Sequence, residues 1–255
     1  MREPKLAAKE LKRCVKDLGM VGALVNGLDI LYKNPISSTY PNRMPIFYDG
    51  QNYDILWKTL EELDVPLYIH PTIYNTNNQA FPDTYTLNFY DEFPQLTGSA
   101  WGFSIYLAQH ILRLILHGVF DRFPKLKIIL GHMGELLPWW ADRFDNRMCI
   151  WRQEKKQISN KSFKNFHLPE FTFPKLPVIE YLKRNIYITT SGWFSDDALF
   201  YCINKLGIDH VLFSIDYPYE DQKSAADWID NVNLNLEDKE KISYKNAVKL
   251  LKLDI

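Results

Sequence analysis

The chain has 255 residues, room for one large α/β domain and little for two. Its 30 Lys and Arg against 31 Asp and Glu leave a formal net charge of -1, which excludes the basic footprint of a nucleic-acid binder and any polyanionic tail. Three widely spaced cysteines, Cys14, Cys149 and Cys202, exclude a disulfide framework and a Cys-rich zinc site; no run reaches the ~18 apolar residues of a membrane span, so a cytoplasmic protein without a membrane partner is expected.

Leu6, Leu11, Val15 and Leu18 place an apolar stripe on a helix from Pro4 to Leu18, with Gly19 as its stop. GALVNGLD from Gly22 then reads as a buried strand. Tyr53, Leu56, Trp57, Leu60 and Leu63 return to helical spacing, Asp64 and Pro66 end that helix, and PLYIHP follows as a strand ending at His70. Trp101 to Phe120 reads as a long helix feeding the strand KIILGH, which ends at His132, with the next helix from Glu135 to about Arg152. Helices are also expected at Val178 to Lys183, at Asp196 to Leu206 and, twice, beyond Gln222. The strands IYITTS from Ile186 and VLFSID ending at Asp216 fall between them.

Apolar strands without alternation, separated by helices, imply a parallel sheet buried on both faces. Five strands fall short of the eight in a closed α/β barrel, so the fold is either an open sheet or a barrel entered partway. Two segments interrupt the repeat. Thr72 to Ser99 leaves directly from His70 and is expected to cover the mouth of a site, as a lid or subunit contact, the alternative being a plain surface insertion. Lys155 to Pro177 reads as a surface insertion.

Three of the strands deliver His70, His132 and Asp216 at their carboxyl ends, where the loops of an α/β barrel share one mouth. Alone, each has a plain reading: a strand-end histidine is commonly a hydrogen-bonded core residue, and Glu135 at a helix start suits the helix dipole. Together, imidazole and carboxylate match the mixed nitrogen and oxygen coordination of Zn²⁺ or Mn²⁺. An Asp after an apolar strand is costly to bury without a partner, so Asp216 needs a metal, a cation or a hydrogen-bond network. His110 and His117 read as packing and surface residues, and His167 and His210 lie in polar surroundings. The chain has no P-loop, no GxGxxG after a strand, no GxSxG and no HExxH, which argues against nucleotide binding, serine hydrolysis and zincin chemistry. Aromatics at 15% suit a thick core and a pocket for a flat apolar molecule.

IHP at Ile69 to Pro71, GVFDRFPKLKIILGHMGE, DNR at Asp145 to Arg147, TTSG at Thr189 to Gly192 and SIDYPYE resemble the amidohydrolase-related, ACMSD-like decarboxylases. The 2,3-dihydroxybenzoate, γ-resorcylate and salicylate decarboxylase group is the nearest in pattern, and the likeness runs from about Pro4 to the carboxyl end. The resemblance implies a (β/α)8 TIM-type barrel whose fourth to eighth strands are the five found here, a partial barrel within a single domain over residues 1–255. It makes His70 and Asp216 metal ligands, His132 a catalytic imidazole facing the substrate, Glu135 its orienting carboxylate and Asp216 the candidate proton donor. Trp101, Phe103 and Trp193 become pocket walls, and the implied cofactor is a divalent metal, Zn²⁺ or Mn²⁺, with no organic cofactor. The implied partner is a small aromatic carboxylic acid, an ortho-hydroxybenzoate that loses CO2, and the implied assembly a homodimer or higher oligomer. Family members add a Glu-x-His or His-x-His pair on the first strand that this sequence lacks, so the domain is expected to be amino-terminally incomplete. The alternatives are a metal-dependent hydrolase of the same superfamily or a non-catalytic fragment.

Overall fold

Pro4 opens the first helix, α1 (Pro4–Leu18), at a position where a missing N–H costs nothing. Gly19, at φ 69°, closes it, and the Met20 N–H donates to the Cys14 carbonyl at 3.0 Å. The computed structural model describes residues 1–27, 29–33, 42–71, 93–158 and 174–254. Most of the expected mouth-covering segment from Thr72 to Ser99, most of that from Lys155 to Pro177, and His167 lie outside the described residues.

After β1 (Ala23–Asn26) the chain forms an antiparallel pair, β2 (Asp29–Lys33) and β3 (Asn42–Ile46), which the sequence reading did not include. Helix α2 (Asp54–Leu63) and strand β4 (Leu67–His70) follow, as expected. Next come α3 (Gly102–Leu116), β5 (Ile128–Leu130), α4 (Leu137–Ile158), α5 (Val178–Asn185), β6 (Ile186–Thr189), α6 (Asp196–Leu206) and β7 (Val211–Leu212). The chain ends with α7 (Gln222–Asn231), α8 (Leu236–Glu240) and α9 (Asn246–Leu251), the last two joined by a π-turn. Two strands are shorter than expected: β5 stops two residues before His132 and β7 stops at Leu212, so His132 and Asp216 stand on the loops above the strands.

The five long-range strands form one parallel sheet in the order β1-β4-β5-β6-β7, an open arc that constitutes a partial α/β barrel. Its register puts Leu24, Tyr68, Ile129 and Tyr187 in one row. Because side chains alternate between faces, these residues share a face, and Leu67, Ile69, Ile128, Leu130, Ile186 and Ile188 share the other. The second set is buried in the main core with Trp57, Leu60, Ile111, Leu114 and Leu182 of the surrounding helices. The first face carries a smaller cluster, Ile129, Leu212 and Leu250 with Tyr68 and Tyr187, and Leu24 at its β1 margin is 62% exposed. None of the described helices is long and apolar enough to cross a membrane.

His110 and His117 have the structural roles expected of them. His110 is fully buried: its Nδ1 contacts the Gly27 carbonyl, and its Nε2 accepts from the Tyr48 N–H at 3.1 Å. His117 Nδ1 pairs with Asp49 at 2.6 Å.

Candidate active site

His70 ends β4 on the same face as Tyr68, two residues earlier, and its Cα partner across the β1–β4 ladder is Asn26. Its Nδ1 lies 2.7 Å from the Pro71 carbonyl, so that nitrogen donates, and in the neutral ring the lone pair stands on Nε2. The His70 and His132 ring centroids are 6.3 Å apart.

His132 sits in an unusual piece of backbone. From His132 to Leu136 every residue has positive φ, at 50°, 52°, 81°, 53° and 65°. Left-handed geometry costs roughly 1–2 kcal/mol for each residue other than glycine, so this turn is held against an appreciable strain, as functional sites often are. Gly134 relieves part of it, and no side chain fits there: a Cβ would stand 2.9 Å from Ile188 Cγ2. The fully buried Met133 anchors the turn, and the Gly134 N–H donates to the Gly131 carbonyl at 2.8 Å. Glu135 therefore does not open the following helix, as its place in the sequence suggested. The left-handed run delays α4 to Leu137 and folds Glu135 back beneath His132, where its Oε1 meets His132 Nδ1 at 2.5 Å. Glu135 is wholly buried, and its Oε2 has no hydrogen-bond partner among the described residues.

Asp216 also has a positive φ, 83°, which aspartate tolerates better than most residues. Its carbonyl accepts from the N–H groups of Tyr219 and Glu220 at 2.8 and 3.2 Å. Its Oδ2 stands 3.5 Å from His132 Nε2, so the imidazole lies between two carboxylates. Gly192, at φ 64°, keeps the space beside them open: a Cβ there would sit 3.3 Å from His132 Cδ2, 3.6 Å from Glu220 Oε1 and 3.7 Å from Asp216 Oδ2. Glu220 is thus a further carboxylate at the site, and its only sequence signal was its position four residues after Asp216. Burial pulls the His132 pKa down, but the hydrogen bond and charge of Glu135, with Asp216, outweigh it and leave the value raised. Nδ1 faces Glu135 and Nε2 faces Asp216, so the ring is placed to take up or release a proton at Nε2 while Glu135 holds the other nitrogen.

The three strand-end residues His70, His132 and Asp216 therefore come together, with Glu135 behind them. Of the expected pocket walls, Trp193 directly follows Gly192; it is half-buried, packed against the main core, and its backbone N–H donates to Thr190 O at 3.0 Å. Phe103 is half-buried in the first turn of α3. Trp101, 45% exposed, lines an apolar cleft of ≈ 520 Å³ between α3 and α4 with Ile105, Leu137 and Trp140.

For a divalent metal, the donor types at this site fit. His70 offers a neutral imidazole whose other nitrogen is oriented by a carbonyl, and Asp216 offers a partly exposed carboxylate. The donor number is small: no group of three His, Cys, Asp or Glu that could hold a metal is found among the described residues. Two protein donors leave the ion's other positions to water, substrate or groups outside them.

The family model described as Amidohydrolase matches residues 1–253. The γ-resorcylate decarboxylase of Polaromonas sp. strain JS666 is 40% identical over 258 residues, a match that covers 100% of this chain and 68% of that protein. The crystal structure of 2,6-dihydroxybenzoate decarboxylase from Rhizobium superposes with a TM-score of 0.78 at 37% identity, covering 100% of this chain and 69% of that one. A dihydroxybenzoic acid decarboxylase structure from Polaromonas sp. JS666, with bound manganese and the inhibitor 2-nitroresorcinol, superposes with a TM-score of 0.77 at 39% identity, covering 99% and 67%.

Proposed function

As the chain belongs to the amidohydrolase family, among whose members its relatives are decarboxylases, we propose that it is built for metal-dependent, non-oxidative decarboxylation of an ortho-hydroxybenzoate. The observation that carries this reading is the placement of His132 between Glu135 and Asp216, with the His70 ring 6.3 Å away. Loss of CO2 breaks the bond between ring and carboxylate, leaves the electron pair on the ring carbon, and requires one proton there. His132 Nε2 and Asp216 Oδ2, 3.5 Å apart, hold that proton between them, while Glu135 fixes which imidazole nitrogen points away from the substrate. A Zn²⁺ or Mn²⁺ ion bound by His70 and Asp216 would act as a Lewis acid toward the carboxylate and the neighbouring phenol oxygen. Trp193 and Phe103 are the aromatic groups assigned to the substrate side, whereas Trp101 lines the separate cleft between α3 and α4. The reading takes residues 1–255 as one domain whose two metal donors act with ligands from outside the described residues, in a homodimer or higher assembly, with no organic cofactor.

The test is incubation with Mn²⁺ or Zn²⁺ and, in turn, 2,6-dihydroxybenzoate, 2,3-dihydroxybenzoate and salicylate, following CO2 release and ring absorbance. Turnover of a benzoate that His132→Asn and Asp216→Asn abolish is the expected result. Turnover of a lactone or ester with no benzoate consumed would replace decarboxylation by hydrolysis. A second reading, a chain without catalysis of its own, is favoured by the shortage of metal donors among the described residues. Failure to retain Mn²⁺ or Zn²⁺ at micromolar concentration in equilibrium dialysis, together with no turnover, would establish it.

A further inference from the structure

Beneath His132 lies a row of hydroxyl groups that crosses the sheet. Tyr68 of β4 and Thr189 of β6 belong to strands separated by β5, yet their hydroxyl oxygens are 3.3 Å apart. Thr189 Oγ1 lies in turn 2.8 Å from Ser191 Oγ, and Ser191 Oγ accepts the backbone N–H of His132 at 3.2 Å. The crossing exists because β5 continues into Gly131: a Cβ at that position would stand 3.1 Å from both Ser191 Oγ and Tyr68 Oη. Gly131 has φ -73° and ψ -176°, an extended conformation open to any residue, so its lack of a side chain serves space and not backbone freedom.

We propose that Ser191, backed by Thr189 and Tyr68, is a positioning residue that fixes the height and orientation of His132 at the mouth of the sheet. His132 begins the left-handed turn, and its N–H, lying at the junction of strand and turn, is not taken up by the sheet ladder. Ser191 takes that N–H from the neighbouring strand's loop, and thereby ties the start of the strained turn to β6. Glu135 holds the same residue through Nδ1, so backbone and ring are held by two groups that share no element. Thr189 and Ser191 are almost wholly buried, which keeps water from replacing either hydroxyl. The proposal deepens the reading of His132 as the catalytic imidazole and rests on it only for its effect on turnover.

The test uses the full chain labelled with ¹⁵N-histidine and long-range ¹H–¹⁵N spectra, with the His132 signals identified by their loss in His132→Gln. Ser191→Ala is expected to broaden or double the His132 ring signals and leave the His110 and His210 signals in place, and Ser191→Thr to restore the single set. Gly131→Ala removes no hydrogen-bonding group and crowds both hydroxyls, and it is expected to disturb the same signals; it serves if Ser191→Ala fails to fold. His132 spectra unchanged in whichever of these variants fold would overturn the proposal. If the chain turns over a benzoate, Ser191→Ala should lower kcat by about 10- to 100-fold with KM little changed. The spectra do not need activity, so an inactive chain would sink the decarboxylase reading and leave this one to be judged.

Discussion

Acidification should weaken this fold through His110, and the size of the effect follows from its surroundings. The ring is fully buried; its Nδ1–H faces the Gly27 carbonyl, and its Nε2 accepts from the Tyr48 N–H. A second ring proton would have to occupy Nε2, against a donor already pointing at it. Burial pulls the pKa down, chiefly by desolvation, from 6.5 to about 4. A group whose folded pKa is depressed stabilises fully above its unfolded pKa and loses that contribution as pH falls toward the folded one. At about 1.4 kcal/mol per pH unit, the loss between pH 6.5 and pH 4 amounts to about 3 kcal/mol. The assay is urea unfolding at pH 7, 6, 5 and 4, comparing the chain with His110→Gln, which retains one donor and one acceptor but does not titrate. The wild-type curve should fall more steeply than the variant's by up to about 1.4 kcal/mol per pH unit across that window. Parallel curves would refute the reasoning and mean that His110 is already charged in the folded protein or exposed to water.

Three other perturbations test the packing that carries the site. Gly134→Ala combines φ 81° with a Cβ placed 2.9 Å from Ile188, so it should cost at least about 2 kcal/mol of unfolding free energy by urea titration. Asp145, in the DNR motif on α4, accepts the Val178 and Ile179 N–H groups at the start of α5 at 2.6 and 3.2 Å. Asp145→Ala should lose about 1–2 kcal/mol, with Asp145→Asn recovering part of it in the same measurement. Trp57 is fully buried and its indole N–H donates to Tyr48 O at 3.1 Å, so Trp57→Ala should cost about 3–5 kcal/mol and lower the thermal midpoint accordingly. A change below about 1 kcal/mol in that variant would mean the region around α2 repacks freely.

The helices were the most legible elements in the sequence. α1 and α6 have the bounds expected from the sequence, with Gly19 closing α1, because an amphipathic stripe and its terminator are local properties. The strand cores were legible for the same reason, as apolar runs between turn residues, and so was the arrival of His70, His132 and Asp216 at one end of the sheet. The strand ends were not: β5 and β7 stop early, and the β2–β3 pair has no alternation strong enough to announce it. Trp101 illustrates the limit for the pocket, since an aromatic beside a helix start looks the same in sequence whether it faces a substrate or an outer cleft such as the one it lines with Trp140.

The sequence by itself determined that strands and helices alternate, that the sheet is parallel, and which side chains stand where strands end, since each follows from spacing along the chain. Only the tertiary structure decided that Glu135 turns back beneath His132, that Gly192 leaves room for Glu220 and Asp216 beside the imidazole, and that Tyr68 reaches Thr189 across Gly131. Those contacts join residues on different strands or require left-handed backbone that the chain adopts only under the constraint of its neighbours. Local preference opposes that backbone, and the burial of Met133 in the main core, with Glu135 wholly enclosed beside it, overrides it.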